Sequence, residues 1–190
     1  HLELDDARVR ARLETLEASP PSAALRIDVA QGIPKGAKMD YVVEKLGELG
    51  VHVLIPLCSE RTIAGDVSPA KLERWRRLAQ GASAQSGRND ILEVTPPLSL
   101  AELLVRMPGY DAVLFPWEAA APEPLRERLP GLIAGASRVL VVVGPEGGFS
   151  HAEAEAAASA GAALISLGST ILRTETAALA TVAILRYERG

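Results

Sequence analysis

The sequence predicts an α/β domain with a mainly parallel sheet. Three observations predict it. Short runs rich in Val, Ile and Leu alternate with longer stretches whose apolar residues recur at helical spacing. The run VLVVV at 139–143 is apolar throughout, the pattern of a strand covered by helices on both faces. Two loops of unusual composition follow predicted strands directly, at the edge where such sheets bind ligands.

A chain of 190 residues suits one main domain with a real core. Apolar residues make up 48% and aromatic ones 4%, so that core is built from Leu, Val, Ile and Ala. The net charge of −4 disfavours general coating of RNA or anionic membrane, so a nucleic-acid partner needs a local basic face. The single cysteine, Cys58, allows no internal disulfide and fits a reducing compartment. It stands at a predicted strand end without a histidine partner and reads as a buried thiol. No apolar run reaches the ~20 residues of a membrane span. The opening HLELDDARVR lacks the apolar core of a signal peptide. A cytoplasmic protein without membrane contact is expected.

In chain order, residues 2–17 alternate loosely, with Leu2, Leu4, Val9, Leu13 and Leu16 apolar, and end at Ser19-Pro20-Pro21-Ser22, a linker signal. This stretch is either the remnant of a preceding small domain or an N-terminal arm, which divides the chain into 1–22 and 23–190. LRIDVAQ (25–31) alternates as a strand does. GIPKGAK is a turn. A helix over 39–50 carries Met39, Val42, Val43, Leu46 and Leu49 on one face and stops at Gly50. A strand follows at 51–57. A helix at 69–85 has Leu72, Trp75, Leu78 and Ala79 on one face. Further strands are predicted at 91–95, 111–116, 138–145 and 163–167, and further helices at 98–107, 124–133, 151–160 and 174–189.

Chemistry concentrates in two stretches. In GPEGGFS (144–150), Gly144, Gly147 and Gly148 let the backbone approach a ligand closely, and Pro145 stiffens the turn. Ser150 and Glu153 match a capping box that starts the next helix. The stretch is neither a P-loop nor GxGxxG. Glu146 either binds a cationic group or a ribose hydroxyl, or is a carboxylate favoured near a helix N-terminus. In LGSTILRTETAAL (167–179), Arg173 and Glu175 open a helix that is apolar on nearly every side. Such a helix is buried on more than one side, here against the sheet and a second subunit. Arg173 and Glu175 either face a ligand or form an ion pair at the helix start, where Thr174 or Thr176 bonds within the first turn.

Two arginines outside these stretches, Arg61 in Ser59-Glu60-Arg61-Thr62 and Arg88 after the 69–85 helix, are placed to hold phosphates or orient a base. That helix also carries Lys71, Arg74, Arg76 and Arg77, either a local basic cluster or an ordinary solvated face. His1, His52 and His151 lack metal-ligand spacing, so no metal is expected. No nucleophile elbow is present.

The residues resemble those of a known family. GPEGGFS followed by LG..ILRTETAAL is similar to the RsmE family of 16S rRNA uridine methyltransferases, of the SPOUT superfamily. KGAKMDYVVEKLGELGV, PLCSERT and KLERWRRL with QSGR resemble further family segments in the same order. The resemblance runs from about residue 25 to the C-terminus. It departs at Ala84, where the family carries Glu, and at Ser169-Thr170, where it carries Pro-Arg.

The resemblance implies a SPOUT-type α/β fold with a C-terminal trefoil knot, and an N-terminal PUA-like RNA-binding domain of which at most a remnant is in this chain. It implies a homodimer through the C-terminal helix and S-adenosyl-L-methionine as cofactor. The implied reaction is methylation of N3 of a uridine in 16S rRNA of the small ribosomal subunit. The implied cofactor residues are Phe115, Gly144, Pro145, Glu146, Gly147, Gly148, Leu167, Gly168, Ile171, Leu172, Arg173, Thr176 and Ala177, and the loop after Phe115 closes over the same ligand. Arg173, Glu175 and Arg88 are the catalytic candidates; Arg61, Arg74, Arg77 and Arg88 are the RNA-binding ones. Two alternatives stand beside this reading: a catalytically silent RNA-binding or assembly module, and a methyltransferase acting on another RNA base.

Overall fold

The computed structural model describes residues 2–5, 8–11, 25–63, 67–88 and 90–189. Strands β1 (Leu2–Asp5) and β2 (Arg8–Ala11) pair antiparallel. The rest of the arm to Glu17 and the linker signal at 19–22 lie outside the described residues.

From Leu25 on, strands and helices alternate: β3 (Arg26–Gly32), α1 (Lys38–Glu48), β4 (Val53–Cys58), α2 (Pro69–Gln85), β5 (Glu93–Val94), β6 (Leu98–Ser99) and α3 (Leu100–Arg106). A 3-10 turn, Met107–Gly109, leads to β7 (Ala112–Pro116). Then come α4 (Leu125–Leu132), β8 (Arg138–Val143), α5 (His151–Ser159), β9 (Ala163–Ile165) and α6 (Thr174–Arg189). The sheet runs β5-β4-β3-β8-β7-β9 with every pairing parallel, and β6 joins the far end of β4. The predicted helix at 98–107 therefore begins with a short strand. Ser99 ends that strand and caps α3 in a reciprocal pair with Glu102.

The sheet is covered on both faces, which is why its strands read as continuous apolar runs. Along β8, Val139, Val141 and Val143 join the core under α1, α2 and α6, while Leu140 and Val142 join the core under α3 and α5. In α5 only alanines, Ala154 and Ala157, meet the core, so this helix approaches the sheet closely.

Two polar positions inside β3 do not face water. Asp28 and Gln31 are both wholly buried. At the amino edge of the sheet, Asp28 accepts from Arg138 Nη2 at 2.7 Å and from the Tyr110 hydroxyl at 3.0 Å. Burial, and then the Asp28 charge, push the Tyr110 hydroxyl up to about 12. At the same edge Arg186 of α6 donates to the carbonyls of Leu25, Leu49 and Gly50, fastening the last helix to the sheet.

Cys58 differs from expectation. It is exposed, because it ends β4 where the strand emerges beyond the covering helices. Among the described residues no helix is long and apolar enough to cross a membrane.

Candidate functional site

In a parallel sheet all strands deliver their carboxyl ends to one edge, so the loops after β3, β4, β7, β8 and β9 gather there. A cavity of about 370 Å³ opens among three of them. Its wall is formed by Pro116, Trp117 and Glu118 after β7, by Val143 to Phe149 after β8, and by Ser166 to Leu172 after β9, with Thr174 and Ala177 of α6.

The 144–148 loop is held from four sides. Beneath it runs the end of β3: a β-carbon on Gly32 would lie 2.3 Å from the Pro145 nitrogen, so only glycine permits this approach. From α1, Lys38 Nζ donates to Glu146 Oε1 at 2.9 Å, and the Lys35 amide donates to the same oxygen at 3.0 Å. Partial burial raises the proton affinity of Glu146, but Lys38 and these amides outweigh it and hold the carboxyl below its usual range. From the loop after β4, Arg61 Nη1 donates to the Gly147 carbonyl at 2.9 Å, and the Glu60 amide donates to Glu153 Oε1 at 2.8 Å. Glu153 also closes the predicted capping box with Ser150.

The fourth tether joins the two stretches singled out in the sequence. Gln31 Nε2 donates to Thr174 Oγ1 at 2.7 Å, and Thr174 Oγ1 donates to the Gly144 carbonyl. Side chains alternate along β3, so Gln31 shares the face of Ile27 and Val29, under α6. Thr174 thus bonds across to the 144–148 loop.

Of the residues expected at the site, Gly144, Pro145, Glu146, Gly147, Gly148, Leu167, Gly168, Ile171, Leu172 and Ala177 line the cavity. Phe115 does not; it is wholly buried with its ring 4.4 Å from that of Phe149, supporting the wall from behind. Thr176 and Arg173 are exposed and off the wall, and Arg173 makes no ion pair among the described residues. Glu175 turns to Lys38, at 4.0 Å, rather than to Arg173.

The arginines scatter. Arg61 braces the loop, Arg74 is held by Asp40 at 2.6 Å, and Arg77 lies in a groove between α1 and α2 beside Glu44 and Glu48. Arg88 stands at the opposite, amino edge of the sheet, against Gly50 and paired with Asp90 at 2.6 Å. It is remote from the cavity of its own chain.

Sequence signals do not single out Lys38 or Gln31, and they include Trp117 and Glu118 only within the loop after Phe115. Each follows or ends a strand of this edge, and that position was the available signal. Gln31, a polar residue closing an apolar strand, was the plainest case.

The family described as an RNA methyltransferase domain matches residues 21–186. The chain is 32% identical over 170 residues to ribosomal RNA small subunit methyltransferase E of Bacillus subtilis, a match that covers 86% of this chain and 66% of that protein. A crystal structure of ribosomal RNA small subunit methyltransferase E from Neisseria gonorrhoeae, bound to S-adenosyl methionine, superposes with a TM-score of 0.76 at 34% identity, covering 86% of this chain and 66% of that one. A probable rRNA-methyltransferase from Porphyromonas gingivalis superposes with a TM-score of 0.83 at 26% identity, covering 99% of this chain and 78% of that one. The SPOUT-type α/β architecture is common to these structures. With residues 21–186 matched by the family model and a curated relative 32% identical over 170 residues, the chain belongs to the RNA methyltransferase domain family.

Proposed function

We propose that this domain binds S-adenosyl-L-methionine in the carboxyl-edge cavity and methylates N3 of a uridine in 16S rRNA of the small ribosomal subunit, in the cytoplasm. The observation that carries the reading is the cavity itself. Ten of the residues that the family resemblance assigns to the cofactor stand on one wall, drawn from two stretches separated by α5 and β9. Its volume suits a nucleoside carrying an amino-acid tail, its glycines let such a ligand lie against backbone, and its charged lining residues are carboxylates. The names of the Bacillus and Neisseria relatives support both cofactor and substrate class.

When bound, the cofactor supplies a methyl group already activated on sulfonium. What remains for the protein is to hold the reactants in line, exclude water and manage the N3 proton of the base. Gly144 to Gly148 and Leu167 to Leu172 would hold the cofactor. Arg173, exposed between the lining residues Leu172 and Thr174 and without an ion pair among the described residues, would stabilise the negative charge that develops on the uracil carbonyls as N3 loses its proton. Glu175, facing Lys38, would position the start of α6 or receive that proton. The target base must leave its stack to reach the cavity.

A homodimer through α6 is part of the proposal. Ala183, Ile184 and Tyr187 form an exposed face on this helix, with Tyr187 89% exposed. A two-fold pairing of this face would lay the amino-edge end of one α6 beside the carboxyl-edge end of the other. Only in that arrangement would Arg88 serve a cavity, the partner's. The return of the chain from the edge strand β9 to α6, packed on β3, β8 and α1, supports the implied knot.

The test is calorimetry with S-adenosyl-L-methionine, followed by mapping of methylated uridine in small subunits incubated with wild-type protein and Arg173→Ala. The expected result is saturable binding by both and a fall in turnover of about a hundredfold or more in the variant. Absence of cofactor binding favours the silent RNA-binding module. Full turnover by Arg173→Ala removes Arg173 from the catalytic role.

A further inference from the structure

The cavity wall holds two charged side chains, Glu118 and Glu146, and no cation. The two carboxylates differ in state. Glu146 is spent on Lys38 and the Lys35 amide. Glu118 makes no hydrogen bond or ion pair among the described residues, although it is not on a loose segment. The Trp117 amide donates to the Ile165 carbonyl at 3.0 Å, and the Ala120 amide donates to the Trp117 carbonyl at 3.1 Å, so Glu118 sits in a turn pinned to β9. Its carboxylate lies over Gly148, where a β-carbon would come within 2.8 Å of Oε1. Trp117 lines the same wall, with its ring set edge-on against His151 at 5.0 Å. A solvent-facing carboxylate with no protein partner among the described residues, set on a pinned turn of the cavity wall, is open to a cationic ligand.

We propose that Glu118 is the charge-recognition residue of the cavity, binding a cationic group of the ligand: the sulfonium centre or the α-ammonium of S-adenosyl-L-methionine. The inference rests on the proposed cofactor reading and deepens it. Lys38 satisfies the charge of Glu146 within the protein, whereas the charge of Glu118 is left for the ligand.

The experiment is calorimetry of wild type and Glu118→Gln against three ligands: S-adenosyl-L-methionine, S-adenosylhomocysteine and 5′-methylthioadenosine. The second lacks the sulfonium charge, and the third also lacks the ammonium and is neutral. The substitution is expected to weaken S-adenosyl-L-methionine binding about tenfold and to leave 5′-methylthioadenosine unchanged. Parallel loss of S-adenosylhomocysteine assigns Glu118 to the ammonium, and its retention assigns Glu118 to the sulfonium; either supports the proposal. Glu118→Lys should abolish binding of S-adenosyl-L-methionine while keeping 5′-methylthioadenosine, which also reports that the cavity is intact. Unchanged S-adenosyl-L-methionine affinity in Glu118→Gln overturns the proposal. So does an equal loss of 5′-methylthioadenosine, which would put the carboxylate on the ribose hydroxyls. If wild-type protein binds none of the three, the cofactor reading itself has failed, and this inference with it.

Discussion

The ammonium of Lys38 donates to Glu146 Oε1 at 2.9 Å while standing 4.0 Å from Glu175 Oε2, so one lysine of α1 joins the 144–148 loop to the first turn of α6. Glu175 Oε2 is buried and has no hydrogen-bond partner, so this cation is its main compensation. Lys38→Met leaves two carboxylates facing each other. Because Lys38 is 38% exposed, solvent screens the pair and the loss of stability is small, about 1 kcal/mol by urea unfolding. The larger effect is on the cavity: cofactor affinity should fall about tenfold as the two loops separate. Lys38→Arg should retain it, and Glu146→Gln in the Lys38→Met background should recover part of it by removing the repulsion. Unchanged affinity in Lys38→Met would mean that Gln31 and Thr174 hold the loops without it.

Gly32→Ala places a β-carbon 2.3 Å from the Pro145 nitrogen and 2.5 Å from the Gly144 carbonyl carbon, both backbone atoms that cannot rotate away. The expected cost is roughly 1–3 kcal/mol in urea unfolding, with displacement of the 144–148 loop and weaker ligand binding. Gly131→Ala is the control. It lies in α4 with open space where the β-carbon would go, so it should be neutral or stabilising by up to ~1 kcal/mol.

His52 gives the amino edge a pH dependence. Burial, and then the Arg26 charge, hold its imidazole below the ordinary value of 6.5, and its Nδ1 is buried without a hydrogen bond. The unfolded chain therefore takes up this proton at a higher pH than the folded chain does. The His52 contribution to stability is intact above about pH 6.5 and is lost as the pH falls below it. Urea midpoints measured between about pH 7 and about pH 5 should decline in the wild type and flatten in His52→Gln. Identical slopes in the two proteins would remove His52 as the cause.

Local periodicity by itself determined the order of the strands and helices from β3 to α6, apart from the short β6, and the limits of α2 and α6, because helix caps and apolar spacing lie within a few residues of each other in the chain. It also singled out the 144–148 and 167–172 stretches, since a loop that follows a strand in a parallel sheet must emerge at the ligand edge. Tertiary structure decided which side chains meet there. Strand order sets β3 between β4 and β8, and only that order brings Gln31 to Thr174, 143 residues later, and Lys38 to Glu146, 108 residues later. Tertiary structure also put Phe115 behind the cavity wall, Arg88 at the far edge and Cys58 in solvent. The physical reason is one of range. Helix and strand signals are carried by neighbours in sequence, whereas the partner of a charge or a buried amide is fixed by register and strand adjacency across the whole domain.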